Sequence, residues 1–169
     1  MKIENTISEL TGKSAIPVRM IYFDKSIDSN WSLGWHQDRT IAVRQREDVD
    51  GFNVWTSKGG VQHVEPPFAI IESSITIRIG IDPSDSENGA LEVIPGSHKL
   101  GRLTDNDTKQ LAESEQQELV NMKEGDIAFF SSPIVHRSAP SRTAKRRRTI
   151  QIDYSSSCLP PPLEWAFVQ

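Results

Sequence analysis

Cysteine is almost missing from this 169-residue chain: Cys158 stands alone, so no disulfide can close within it, and a thiol-based catalyst is not expected. That composition suits a reducing cytoplasm. Long apolar runs are missing as well. Nothing approaches a membrane span, and the N-terminus has no charged-then-apolar signal segment. There is no excess of basic residues either. The net charge of −4 argues against a general binder of nucleic acid or membrane surfaces, and the one basic cluster, residues 142–148, lacks interleaved aromatics. Internal repeats and low-complexity segments are absent, and good helix formers gather in number only at 106–120. The expectation is one cytoplasmic domain over residues 1–169 that acts on a small molecule and binds neither nucleic acid nor membrane.

What is present is a succession of short β-forming runs separated by turn signals. Ile3, Ile7 and Leu10 give a weak helical rhythm that Gly12 ends. From Pro17 the chain reads as a strand buried on most of both faces. After a loop over 24–30, residues 31–43 read as strand again. Residues 44–68 are charged and rich in turn residues, with Gly51, Gly59, Gly60 and the Pro66-Pro67 pair, and read as a long loop of the kind that serves as a lid. Residues 70–81 return to strand, with isoleucines on one face and Thr76, Arg78 and Gly80 on the other. Short strands follow at 90–94, 127–130 and 133–136, and residues 148–154 alternate cleanly. Many short strands with little helix predict an all-β core with minor helices, a sandwich or jelly roll whose mouth can gather side chains from distant strands.

The chemistry begins at Trp35-His36-Gln37-Asp38. In an extended strand a His and an Asp two residues apart project to one face, which is half of a metal site of the 2-His-1-carboxylate type. Three further histidines could complete it. His63 lies in the charged loop, where a solvent- or substrate-facing role is favoured, and His98 closes the turn at Pro95-Gly96, where a hydrogen bond to nearby backbone is favoured. His136 differs, because it follows an apolar strand and is followed by Ser138 and, eleven residues on, by Arg147 at the start of an alternating strand. Arg147 is suited to a dicarboxylate, since guanidinium grips carboxylate bidentately and stays charged when buried; Thr149 shares its strand face. Arg148 points to the other face, and Lys145 and Arg146 read as solvated.

These residues resemble the phytanoyl-CoA dioxygenase family of Fe(II)/2-oxoglutarate oxygenases. The resemblance rests on Trp35-His36-Gln37-Asp38, on the run from Asn88 to His98, and on His136-x-Ser138 with Arg147. It extends from about Val18 to Trp165. It implies a double-stranded β-helix (jelly roll, cupin-like) and Fe(II) bound by His36, Asp38 and His136. It further implies 2-oxoglutarate as cosubstrate gripped by Arg147, with Ser138 and Thr149 in support and Arg19 and Arg78 lining the pocket, and O2 as oxidant. The implied reaction is hydroxylation of a small organic substrate with release of succinate and CO2, and Asp38 in the acidic ligand position speaks against halogenation.

Two departures accompany the resemblance. Members of the family commonly carry a longer N-terminal region with helices that brace one sheet, so a naturally shortened form, a homo-oligomer whose second subunit covers that side, and a truncated start are the three expectations; and Ser141 stands where an Asn is usual. Trp55, His63 and Phe68, in the expected lid, are the candidates for substrate contact. The alternatives are a jelly-roll metal enzyme that does not use 2-oxoglutarate and a non-catalytic small-molecule-binding domain. Neither requires Arg147 beside Thr149.

Overall fold

The computed structural model describes residues 3–168. Two four-stranded antiparallel sheets make the body. The larger has the order β1 (Ile16–Lys25), β11 (Arg147–Ser155), β6 (Ser74–Gly80), β9 (Ile127–Ser131). The smaller has the order β2 (Leu33–His36), β10 (His136–Ser138), β7 (Leu91–Val93), β8 (Glu118–Val120). A third, three-stranded sheet is formed by β3 (Ile41–Val43), β5 (Val61–Glu65) and β4 (Asn53–Lys58), in that order.

Alternation decides which way each residue of the large sheet faces. On β11 Arg147, Thr149, Gln151 and Asp153 are buried toward the inside, while Arg148, Ile150 and Ile152 face out. On β6 Ile75, Ile77 and Ile79 face outward and pack with Tyr154 against helix α1 (Ile3–Thr11), whose Ile7 is fully buried. β1 lies at the sheet's edge. It was expected to be buried on both faces, but Met20 and Tyr22 on its outer face are 66% and 53% exposed, because α1 covers β6 and β11 and does not reach them.

Several expected boundaries move, each for a local reason. The strand expected over 31–43 is two strands: the chain leaves β2 at His36, and Asp38 lies in the connection to β3. The stretch read as a long loop over 44–68 contains the β4–β5 hairpin, which turns at Gly59-Gly60, both with positive φ. Its polarity misled because nearly all of β4 is exposed; what holds the hairpin is Phe52, Val64 and Trp55 packing with Val18, Ile41, Val43 and Trp165. Residues 70–81 split into helix α2 (Phe68–Glu72) and β6. The helix expected over 106–120 is α3 (Asp105–Ser114), started by a reciprocal cap between Thr104 and Asp107, after which the chain extends into β8 to pair with β7.

Candidate metal centre

His36 ends β2 and His136 begins β10, and the two are directly paired across the antiparallel ladder, with ring centroids 4.3 Å apart. Asp38 reaches the same spot from the connection to β3. The ligand atoms of His36, Asp38 and His136 all lie within 4.8 Å of one another. Each imidazole is oriented from behind: Nδ1–H of His36 donates to the Gly34 carbonyl at 2.7 Å, and Nδ1–H of His136 to the Ile134 carbonyl at 2.9 Å. A carbonyl can only accept, so this pattern places the proton on Nδ1 and leaves Nε2 as a free donor to a metal. Burial pushes the His136 imidazole down to about 4, which keeps it in the neutral form a metal requires. Burial opposes ionisation of Asp38, but His136, Arg19, His36 and Arg78 together outweigh it and hold the carboxyl below its ordinary range.

Gln37, between the two ligands, was not singled out in the sequence. Its buried side chain donates to the carbonyls of Gly101 and Pro133 and accepts from the Leu103 amide at 2.9 Å, which fixes the turn that carries Asp38 back beside His36. The two ligands therefore meet because a turn is pinned there, not because they alternate along one strand.

Behind the triad lies a cluster of buried cations. Arg147 is 2% exposed and Lys25 is fully buried; they are opposite each other on β11 and β1. Lys25 Nζ donates to Ser138 Oγ at 3.0 Å and to the Ala139 carbonyl, and it sits 4.2 Å above the ring of Trp31. Arg147 Nη2 is 3.5 Å from the same Ser138 hydroxyl, and its Nε has no partner. Burial, with Arg147 and Arg78 nearby, pushes Lys25 down to about 8. Gly89 makes the arrangement spatially feasible: a Cβ there would lie 2.2 Å from the Ala139 oxygen and 2.7 Å from Lys25 Nζ. Two neighbouring buried cations sharing only hydroxyl and carbonyl oxygens are costly unless an anion joins them.

Residues 4–149 match the phytanoyl-CoA dioxygenase family. This chain belongs to that family. Over 95 residues it is 34% identical to the methylphosphonate hydroxylase of Gimesia maris, a match covering 54% of this chain and 36% of that protein. Over 109 residues it is 31% identical to the dioxygenase lolE1 of Epichloe uncinata, covering 62% and 43% respectively. The matched segments thus make up less than half of either relative. The crystal structure of AviO1 from Streptomyces viridochromogenes Tue57 superposes with a TM-score of 0.65 at 22% identity, over 94% of this chain and 59% of that one, and shares the double-stranded β-helix fold.

In this member of the phytanoyl-CoA dioxygenase family a cavity of about 340 Å³ opens between the two larger sheets over the triad. Arg19, Arg78, Ser138 and His63 line it together with His36, Asp38 and His136. Arg147 stands behind Ser138 and Trp31, and buried Thr149 lies beside Phe23, which lines the wall. His63 is buried on β5, with Nδ1 3.1 Å from the Val61 carbonyl. Trp55 and Phe68 are not on the wall; they pack against the apolar cluster beneath the hairpin, where their area is buried instead. At the turn before His98 it is Ser97 that makes the expected bonds, to the Ile94 carbonyl and from the Val135 amide, while His98 Nδ1 is left without a partner. Ser141, in place of the usual Asn, is clamped through its backbone by Asn30. Lys25 was missed by the sequence reading. Its signal was strand parity, since it shares the inward face of β1 with Arg19, Ile21 and Phe23.

Proposed function

We propose that the chain is the core of an Fe(II)- and 2-oxoglutarate-dependent oxygenase that hydroxylates a small organic substrate. The observation that carries this reading is the pair of buried, anion-less cations Arg147 and Lys25 placed behind a His-Asp-His triad. A metal triad alone is common to several chemistries. A triad backed by a cationic clamp calls for a bound carboxylate.

His36, Asp38 and His136 fit Fe(II): two imidazoles, each held through Nδ1–H to a backbone carbonyl, and a carboxylate faced by Arg19. Arg147 and Lys25 hold the distal carboxylate of 2-oxoglutarate, with Ser138 between them and Thr149 on the same strand face. Bound Fe(II), with 2-oxoglutarate and O2, supplies the oxidation: one oxygen atom enters succinate as CO2 leaves, and the other enters a substrate C–H bond. Arg19 positions Asp38, 3.9 Å from its carboxylate, while anchored to Asp153 at 2.6 Å. Phe23, Trp31 and Leu33 supply apolar wall that limits water around the reacting groups. The likeness to a hydroxylase and a dioxygenase supports the same chemistry.

The test is anaerobic calorimetry of 2-oxoglutarate into Fe(II)-loaded protein, followed by a succinate assay in air. Stoichiometric, Fe(II)-dependent binding and slow succinate formation are expected. Fe(II) binding without any 2-oxoglutarate binding would move the assignment to a metal enzyme that does not use this cosubstrate.

A further inference from the structure

Among the residues lining the cavity Asp38 is the one carboxylate, whereas Arg19, Lys58, Arg78 and Arg137 bring basic side chains. Two of these four are already answered: Arg19 donates to Asp153 at 2.6 Å, and Arg137 to Glu92 at 2.7 Å. Arg78 and Lys58 have no carboxylate partner among the described residues.

Arg78 is the more telling of the two. It is 6% exposed, donates to the uncharged Gln151 Oε1 at 2.8 Å, lies 5.1 Å from the Phe23 ring centroid, and leaves a buried Nε without a partner. Asp153 cannot serve it, because that carboxylate is already taken by Arg19, Thr76 and Gln151. Lys58 stands over the same cavity at the tip of the β4–β5 hairpin, opposite Val61. On the oxygenase reading, on which this inference rests, 2-oxoglutarate occupies Arg147 and Lys25 with one carboxylate, while its other carboxylate and Asp38 neutralise the metal. The charge of Arg78 and Lys58 is then left over.

We propose that the substrate is a small organic anion, a carboxylate or a phosphonate, whose acid group is held by Arg78 and covered by Lys58 from the hairpin. Asp38 and Asp153 act on Arg78 only through space, and a buried guanidinium with no carboxylate in contact persists where a ligand brings one; a planar fork suits either oxyanion. The cavity must hold the cosubstrate as well, so the anion has few heavy atoms beyond its acid group.

The experiment loads the protein anaerobically with Fe(II) and 2-oxoglutarate, follows the visible absorption the pair gives, and titrates in methylphosphonate, propionate and neutral propionamide by calorimetry. At least one acid should bind saturably and about tenfold or more tighter than the amide. Arg78→Gln should weaken that binding tenfold or more while the 2-oxoglutarate absorption stays, and Arg78→Lys should recover part of it. Lys58→Ala, at an exposed turn where folding is not at stake, should weaken it by a smaller factor. The proposal is overturned if acid and amide bind alike, if no acid binds, if Arg78→Gln loses the 2-oxoglutarate absorption itself, or if Lys58→Ala leaves acid binding unchanged. Absence of that absorption in the unmodified protein is a different result, which removes the oxygenase reading and this inference with it.

Discussion

Arg147 and Arg148 are adjacent on β11 and live in different surroundings. Arg147 points inward, 2% exposed, with Nε free, whereas Arg148 points outward into a two-pronged pair with Asp82 at 2.7 and 2.8 Å. Arg147→Ala should therefore leave Fe(II) bound and weaken 2-oxoglutarate by about 2–5 kcal/mol, the range for removing one partner of a buried charge pair. Arg148→Ala should leave cosubstrate binding untouched. Calorimetry on both variants checks this, and an equal loss in both would mean that the strand face is misassigned. Lys25 makes a second prediction. Its ammonium is pushed down to about 8 in the free protein, and a bound carboxylate favours the charged form. Binding above that pH must therefore take up a proton, so affinity for 2-oxoglutarate should be level below about pH 7 and fall as pH rises through 8. Lys25→Met should lower affinity at neutral pH and flatten the profile. A profile unchanged by that substitution would release Lys25 from the clamp.

At the scale of elements, the strands most legible in the sequence are those with clean alternation and two neighbours. On β11 and β6 polar and apolar residues take opposite sides, so the inward Arg78, Arg147 and Thr149 could be read directly. The β4–β5 hairpin was illegible for the opposite reason: β4 is almost wholly exposed, its pairing is decided by β5, and the residues that pin it, Phe52 and Trp55, stand three apart across the positive-φ Val54, out of step with a two-residue alternation. The same limit hid Gln37 and Lys25, whose roles depend on a turn and on a partner strand distant in sequence. The hairpin makes its own prediction. Amides of His63 and Val64, paired to β3 on one side and flanked by β4 on the other, should exchange slowly, while residues 58–61 at the tip exchange fast. Uniformly fast exchange across 44–65 would restore the long-loop reading. Phe52, 5% exposed beneath the hairpin, should cost about 3 kcal/mol when changed to Ala, measured by urea unfolding.

The whole molecule separates charge by location. The chain is net acidic at −4, yet its interior buries Lys25, Arg78 and Arg147, with Arg78 on the cavity wall and the other two behind Ser138. Buried cations of this kind reduce the stability of the empty fold and gain their counter-charges on binding, so 2-oxoglutarate should raise the melting temperature only when the clamp is intact. Both layers of the fold are needed to assemble this region: the smaller sheet brings His36 and His136, the larger brings Arg147, Lys25 and Arg78, and the connection to the third sheet brings Asp38. The central claim is that these layers meet at a single iron site. Its most direct test is an anaerobic Fe(II) titration of the unmodified chain beside His36→Ala, Asp38→Ala and His136→Ala, with His63→Ala and His98→Ala as controls. One Fe(II) per chain is expected for the unmodified protein and both controls, with stoichiometric binding lost in each of the three triad variants. Full Fe(II) affinity in any one of those three would contradict the claim.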